Sequence, residues 1–462
     1  RPEMNLAAIA LCLTVQAVEL PRATMSEMAA VPLRQQAPRT IEQRWIFRSA
    51  AGDRRRFGGG ATERQRAPLP KRRLVAAALL DSFTSDSSIE LSPPDAAGAV
   101  GPRHVVGAYN TGVVVHDRGG AVLKRVTLAQ FWFSNAAPGA FYDPRIVYDA
   151  EADRWVVMSI LDERSVMLAI SEDGDPAGAW RRWQIDERYA DFSHLVLTAD
   201  SIVAATTYWP SPHSIYFIVP RAEAYANPET LTATRIATLD AEATPVASDS
   251  GDELMIVADT ERVSWRPIDG SEPWRAAELP DGWDSPDPEL PQRDAKPLDG
   301  GHGRIENAVE RNGWIYAVMT RAPIGSWNNA VVWCRIHRAT GVAEWHFIDA
   351  PEHQSYGYPS LAIHGSGAMV IGFGIFSPFA YASSGYVYRT PFGVTSGVAI
   401  IRDGDAPVIV GDRWGDYTTT LADPLDGASF WSVQMHAKQG RFWETAWAKV
   451  ALPGGRRRAA RH

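Results

Sequence analysis

The sequence predicts an all-β chain made of a repeated sheet unit, and three observations lead to that fold class. The 462 residues include 37 Gly, 32 Pro and 17 Trp, a composition typical of short strands, frequent turns and flat apolar surfaces. Helical periodicity is nearly absent, whereas polar and apolar residues alternate as in strands, for example over residues 333–337. A turn of small polar residues followed by an apolar run recurs every 46 to 61 residues, which indicates a repeat architecture.

The turn and the strand after it occur seven times. Their anchors are His104, Trp155, Ser201, Leu254, Trp314, Ala368 and Ser429. Four strands fit into one repeat, as in residues 307–310, 314–320, 330–337 and 343–348 of the fifth. Strand repeats of this length are typical of a β-propeller. We therefore predict a single β-propeller over residues 74–452 with seven four-stranded blades. Six or eight blades, or separate β-sandwiches, are the alternatives.

The last repeat lacks a fourth strand, since it ends with the apolar run at residues 443–452. Residues 74–80 form an apolar run that could supply the missing strand from the other end of the propeller region. Sharing one blade between the two ends closes the ring without leaving an open sheet edge. We expect the ring to close in this way.

The N-terminal region has a different composition. Residues 4–17 form an apolar run that ends at Ala17, as expected of a signal peptide; a short buried or stray apolar segment is the alternative for residues 1–17. Residues 18–73 are rich in Arg, Ala, Gln and Pro, and we interpret them as a flexible extension, a disordered basic linker or pro-region. Residues 453–462 form a basic tail. We therefore predict a secreted or periplasmic protein without a membrane span.

Charge and cysteine content limit the partners. Residues 1–73 contain 14 Lys and Arg against 6 Asp and Glu, whereas residues 74–452 contain 28 against 48. An acidic body repels polyanions, so we do not expect nucleic acid as a partner. Cys12 and Cys334 are the only cysteines, and Cys12 lies in the segment expected to be removed, so no internal disulfide is predicted. We predict a monomer whose partner is a glycan or an extracellular protein.

Several motifs point to a group of related proteins. Residues 414–431 read WGDYTTTLADPLDGASFW, residues 143–149 read DPRIVYD, and residues 98–102 read GAVGP. These motifs resemble a group of uncharacterised secreted bacterial β-propeller proteins, over about residues 95–450. Residues 171–180 are also similar to the Asp-box turn of sialidase-like repeats, although Asp175 stands where that box has glycine. The resemblance implies the fold and export, and it implies no activity.

A site is expected where the connections into the innermost strands of a propeller meet at one end of the central channel. Acids, bases and aromatic residues from five repeats precede or begin those strands. The ligand-binding candidates are Asp143, Arg145, His194, His302, Arg304, Glu306, Tyr356, Tyr358, Arg413, Trp414, Asp416 and Tyr417. Structural roles are the alternatives: Asp143 capping a turn, Asp416 holding backbone amides, and the two histidines packing in the fold.

These residue types fit a binding module that recognises a glycan or protein at the channel mouth, because aromatic rings stack on sugars and charged groups bind hydroxyls or carboxylates. The alternative is a carbohydrate-active enzyme, a polysaccharide lyase or glycoside hydrolase, on the same face. No metal-ligand or phosphate-loop motif occurs, so no metal and no cofactor are predicted, and catalytic residues are unassigned. Because loop residues seldom carry core packing, substituting Arg304 should cost little stability.

Overall fold

The computed structural model describes residues 11–31, 78–132, 140–208, 213–226, 228–239, 242–409 and 411–451. Strands dominate these residues, and the three helices within them are short. No helix in these ranges is long and apolar enough to cross a membrane. The first elements in the chain are β1 (Leu11–Thr24), α1 (Met25–Ala29) and β2 (Ala78–Ser88).

Within the described ranges, the strands that follow form antiparallel units of four. The first unit consists of β3 (Ala97–Val100), β4 (His104–Tyr109), β5 (Gly112–Asp117) and β6 (Val122–Thr127), and α2 (Leu128–Phe131) follows it. The second consists of β7 (Phe141–Asp149), β8 (Arg154–Leu161), β9 (Ser165–Ser171) and β10 (Ala179–Asp186). The third consists of β11 (Ala190–Leu197), β12 (Ser201–Tyr208), β13 (His213–Pro220) and β14 (Leu231–Ala237), with α3 (Arg221–Tyr225) between its last two strands.

The later units have the same order. They are β15 (Thr244–Ser248), β16 (Leu254–Ala258), β17 (Arg262–Pro267) and β18 (Arg275–Glu278), then the short β19 (Trp283–Asp284), β20 (Glu289–Leu290) and β21 (Leu298–Asp299); β22 (Ile305–Arg311), β23 (Trp314–Pro323), β24 (Ala330–His337) and β25 (Ala343–Ile348); β26 (Ser355–Ile363), β27 (Met369–Ser377), β28 (Ala380–Arg389) and β29 (Ala399–Arg402); β30 (Thr419–Ala422), β31 (Ser429–His436) and β32 (Trp443–Ala451).

The innermost strand of every unit contributes to one central cavity of about 440 Å³. These strands are β3, β7, β11, β15, β22, β26 and β30. Sheets arranged radially around a common channel define the architecture. The chain is a β-propeller, as the sequence predicts. We call each unit a blade and number the blades one to seven in the order above, and we call the channel end at which the innermost strands begin its upper end.

The apolar core lies between neighbouring blades. Ten tryptophan side chains among the described residues are fully buried, including Trp155, Trp180 and Trp447. Such large flat rings fill the space between two twisted sheets and dominate the burial of apolar surface. Where a ring approaches an innermost strand, the residue that faces the ring must be small. A Cβ on Gly98 would collide with the Trp447 ring.

Strand β2 closes the ring. It pairs antiparallel with β32, from Ala78 opposite Ala451 to Ser88 opposite Trp443, and so becomes the outermost strand of blade seven. Strand β2 continues to Ser88, beyond the apolar run at residues 74–80 that was expected to supply this strand. Residues 74–77 of that run lie outside the described ranges. Side chains reinforce the closure, since the hydroxyl of Tyr109 donates to Ser85 Oγ over 2.7 Å.

The structure differs from the expected linker over residues 18–31. Residues 11–17 of β1 pair with β14 and residues 18–24 pair with β10, so β1 joins blades two and three into one nine-stranded sheet. The reason is tertiary: Met25 and Met28 of α1 are fully buried beside Trp180, which composition does not reveal. Residues 32–73 and the tail at 453–462 lie outside the described ranges, and removal of residues 1–17 stays a prediction.

Candidate functional site

A long connection covers the upper end of the channel. Residues 279–304 lead from blade four to blade five and carry the β20–β21 hairpin. The backbone N–H of Asp299 donates to the carbonyl oxygen of Asp412 over 2.7 Å, and Gln292 exchanges hydrogen bonds with the backbone of Val408. The Tyr358 hydroxyl donates to the carbonyl oxygen of Asp299 over 2.7 Å. The cover therefore rests on blades six and seven.

Beneath this cover, equivalent positions of the seven blades form a ring. Each member lies two residues before a residue that lines the channel. The members, which we call the ring residues, are Asp95, Asp143, Phe192, Glu242, Arg304, Tyr358 and Asp416. The channel-lining residues that follow them, which we call the floor residues, are Ala97, Arg145, His194, Thr244, Glu306, Ser360 and Thr418.

The local backbone explains how these side chains are aimed. Five ring residues have a left-handed backbone with φ between +46° and +56°, although none is glycine. In blades two, three and six the register of the innermost strand shifts across the ring residue, for example between Tyr142 and Arg145. In blade five it shifts slightly later, between Ile305 and Asn307. Such β-bulges redirect side chains and are frequent beside functional sites. A non-glycine residue with positive φ carries strain, which is also concentrated at such sites.

Charged ring residues bind one another. Asp416 accepts hydrogen bonds from Arg304 over 3.3 Å and from Arg413 over 2.6 Å. Its backbone N–H donates to Asp95 over 2.8 Å. Burial alone would raise the pKa of Asp416, but the guanidinium groups of Arg413 and Arg304 hold it below its usual value. By contrast, burial and the nearby carboxylates of Asp143 and Asp416 raise the pKa of Asp95 well above its usual value.

Asp143 is held on several sides. Its backbone N–H donates to Asn110 over 2.8 Å, its carbonyl oxygen accepts from Ser193 over 2.6 Å, and its Oδ2 accepts from the Tyr417 hydroxyl over 3.0 Å. Its Oδ1 has no partner among the described residues. Burial, with the neighbouring carboxylates of Asp191 and Asp416, raises the pKa of Asp143 to about 7. This carboxyl is therefore partly protonated near neutral pH.

Two arginines and two aromatic rings form a stack inside the ring. The Arg145 guanidinium lies 3.3 Å from the centre of the Tyr417 ring, Tyr417 stacks on Phe192 at 5.0 Å, and the Arg304 guanidinium lies 3.3 Å from the centre of Phe192. Cation–π contacts of this kind stabilise desolvated cations by about 2 kcal/mol. The stack fixes the guanidinium of Arg145 at the boundary between the buried ring and the open channel.

The covered upper end of the channel offers three ionisable side chains. Arg145 donates through Nε to the carbonyl oxygen of Ser193 over 2.8 Å, while its Nη2 has no partner among the described residues. Burial raises the pKa of Glu306 to about 8, against the opposing charge of Arg304. Burial, with Arg145 and Arg304, lowers the pKa of His194. At pH 7 the floor therefore presents one cation and two largely neutral groups that form hydrogen bonds.

The structure brings together ten of the twelve candidate residues. His302 belongs with them, since the charges of Arg304 and Asp416 act on it. The other two differ from expectation: Tyr356 packs against Phe373 at 4.8 Å and Trp414 against Phe376 at 5.5 Å, both in the apolar core. The bulge at residues 357–360 changes which residues of β26 face the channel, which explains Tyr356.

Sequence reasoning missed three ring residues, Asp95, Phe192 and Glu242. The signal was available, because each stands two residues before the position that faces the channel in its repeat. Arg304 also differs from expectation: it lies in a connection, yet its side chain is only 3% exposed. Among the described residues the same cavity also reaches Ala150 and Pro424, at the opposite end of the channel from the ring.

No group of three or more His, Cys, Asp or Glu side chains in the described ranges is arranged to hold a metal ion. No protein-family model matches the chain, and no curated protein is similar to it in sequence. Among solved structures, the WD40 domain of SCAP from fission yeast covers 76% of this chain and 82% of its own, at 6% identity and a TM-score of 0.36.

Two further structures are similar. An oligogalacturonate lyase in complex with manganese covers 84% of this chain and 99% of its own, at 10% identity and a TM-score of 0.41. The β-propeller domain of the Trilobed protease from Pyrococcus furiosus covers 80% and 94%, at 8% identity and a TM-score of 0.41. Identities and TM-scores this low carry no ligand or activity over to this chain.

Proposed function

We propose that this chain is a binding propeller that admits a small hydroxyl-rich ligand, such as the end of a glycan, to the floor of its central channel. The observation that carries the proposal is the Nη2 of Arg145, a fixed donor that has no partner among the described residues, at the covered upper end of a cavity of about 440 Å³. Cavities of roughly 300–1,000 Å³ with a few convergent polar groups are typical of small-ligand sites.

The floor supplies complementary groups around that donor. Glu306 can accept a hydrogen bond when ionised and donate one when protonated, and its raised pKa keeps both forms accessible near neutral pH. Ser360 and Thr418 add hydroxyls, which lie 2.9 Å apart. The strained ring residues keep these side chains in place before a ligand arrives, which reduces the entropy lost on binding.

We propose further that the protein works outside the cytoplasm, in the periplasm or after secretion, as a monomer. The apolar run that ends at Ala17 and the resemblance of residues 414–431 to secreted bacterial propellers support export. The acidic body supports a partner other than nucleic acid.

A glycan array followed by calorimetry on each hit tests the binding proposal. Arg145→Ala should weaken binding of a hit at least tenfold, because the ligand loses a charge-assisted hydrogen bond. Arg262→Ala is the matched control, since Arg262 begins β17 of blade four, does not line the channel and is half exposed. Equal affinities for wild type and Arg145→Ala would reject the channel floor as the binding site.

A carbohydrate-active enzyme is the second candidate, and one observation favours it. A carboxylic acid that stays protonated near neutral pH can act as a general acid, and Glu306 faces the channel with a pKa raised to about 8. Product analysis of every glycan hit distinguishes the two functions. New reducing ends, or the absorbance of an unsaturated sugar, that disappear in Glu306→Gln would establish catalysis; an unchanged ligand supports binding alone.

A further inference from the structure

One aromatic side chain of the closing strand β2 reaches across to blade one. The ring of Phe83 lies 5.1 Å from the ring of His116 in β5 and 6.3 Å from the ring of Trp431 in blade seven, measured between ring centres. The turn after β5 packs onto the same side chain, because a Cβ on Gly120 would lie 2.4 Å from the Phe83 ring. The strand that closes the ring therefore helps to bury His116.

His116 is suited to this place only as a neutral imidazole. Its side chain is fully buried, and neither ring nitrogen forms a hydrogen bond of ordinary geometry with the described residues. A buried imidazolium without an acceptor is unfavourable, because burial penalises unpaired charge. Burial accordingly lowers the pKa of His116 to about 4, and the backbone of Val105 opposes this shift only in part.

The charged groups around this contact are engaged with one another or with the backbone. Asp86 of β2 pairs with Arg125 of β6, and Arg118 pairs with Asp423. Asp117 accepts two backbone N–H groups of its own turn, each over 2.9 Å. Asp86 and Asp117 favour a proton on His116 and Arg125 disfavours it, and these charges leave the effect of burial dominant. The ionisable groups that neighbour the contact are Asp86, His104, Asp117, Arg118, Arg125 and Lys449.

We infer that the closure of the ring is acid-sensitive: when His116 takes up a proton, β2 separates from blade one and from β32, while the other blades stay folded. Within the described sheet of blade seven, β2 is the outermost strand and pairs with β32 alone. Residues 78–81 and 84 of β2 are exposed, so little apolar surface besides Phe83 opposes its release. The contact lies on the outer part of blades one and seven, so it does not depend on a ligand in the channel.

The direction and size of the effect follow from the two pKa values of His116. The pKa is about 4 in the closed ring and returns to its ordinary value of 6.5 once β2 has separated. Below pH 6.5 the open form therefore binds more protons, and the closed form loses stability as pH falls from about 6.5 to about 4. Between pH 7 and pH 5 the ratio of closed to open form should fall about twentyfold.

Hydrogen–deuterium exchange on the full chain at pH 7 and pH 5 tests the inference. Each exchange rate is divided by the intrinsic rate at the same pH, which gives a protection factor for the amides of β2 and for those of β24 in blade five. In wild type, β2 should lose about twentyfold in protection relative to β24. His116→Phe cannot take up a proton, so its β2 should lose less than about threefold.

His346→Phe is the matched control, because His346 also stacks on an aromatic ring, that of Trp333 at 4.0 Å, but in blade five. Its β2 should lose protection as in wild type. An equal loss in wild type and His116→Phe, no loss in wild type, or a loss in β24 as large as that in β2 would overturn the inference. Should His116→Phe not fold, His116→Leu takes its place with the same expected result.

Discussion

Replacing Arg304 by alanine should destabilise the protein strongly, although Arg304 lies in a connection between blades. Its guanidinium binds Asp416 over 3.3 Å, approaches Glu242 to 3.9 Å and lies against the ring of Phe192. The side chains of Arg304 and Asp416 are 3% and 5% exposed. The substitution therefore leaves a buried carboxylate with one guanidinium fewer and opens a gap beside an aromatic ring.

The expected loss follows from these contacts. Removing one partner of a buried ion pair costs about 3–5 kcal/mol. Asp416 keeps its 2.6 Å contact with Arg413, so the lower end applies, about 3 kcal/mol in the free energy of unfolding. Arg293→Ala is the matched control in the same connection, because the Arg293 side chain is 53% exposed; its loss should stay within about 0.5 kcal/mol.

Urea unfolding at pH 7, followed by tryptophan fluorescence, measures both variants. The many buried tryptophans report the opening of the blade interfaces. A loss of less than about 1 kcal/mol for Arg304→Ala, or equal losses for both variants, would refute the reasoning that the ring is a tightly coupled buried network.

Three further predictions follow from the same contacts. Tyr417→Phe removes the donor to buried Asp143 and should lower the free energy of unfolding by about 1–2 kcal/mol in the same urea assay; no change would mean that this bond does not stabilise the ring. The folded pKa of Glu306, about 8, exceeds its ordinary value of 4.5, so its contribution to stability is lost as pH rises from about 4.5 to about 8. The thermal midpoint of Glu306→Gln should therefore fall less than that of wild type over this pH range. An equal fall would mean that other groups cause the pH dependence. Met28→Ala should cost about 2–5 kcal/mol by leaving a cavity, whereas exposed Ser26→Ala should cost little; equal midpoints would mean that α1 does not pack on the propeller.

Local signals in the sequence predicted the blades well. In blade five the outer strands lie at Ala330–His337 and Ala343–Ile348 as predicted. The hairpin between β22 and β23 turns at Asn312 and Gly313, with φ of +53° and +75°. Such strands are readable because alternation and turn residues depend on neighbours in the chain.

The features that sequence did not predict depend on distant contacts. Strand β1 contains a proline and continues into the region whose composition suggests a linker, and it forms a strand because β10 and β14 offer it two sheet edges. Tyr356 was expected in the channel because its strand begins nearby, but the bulge at Tyr358 reverses the alternation. A bulge shifts register by one residue and carries no strong sequence signal when the left-handed residue is not glycine.

The central claim is that the floor of the channel binds a ligand, and a crystal structure with a bound glycan hit tests it most directly. The account predicts a sugar inside the channel with an oxygen within hydrogen-bond distance of Arg145 Nη2, and a second one facing Glu306. A ligand bound on the outer surface of the blades, with the channel holding only water, would contradict it.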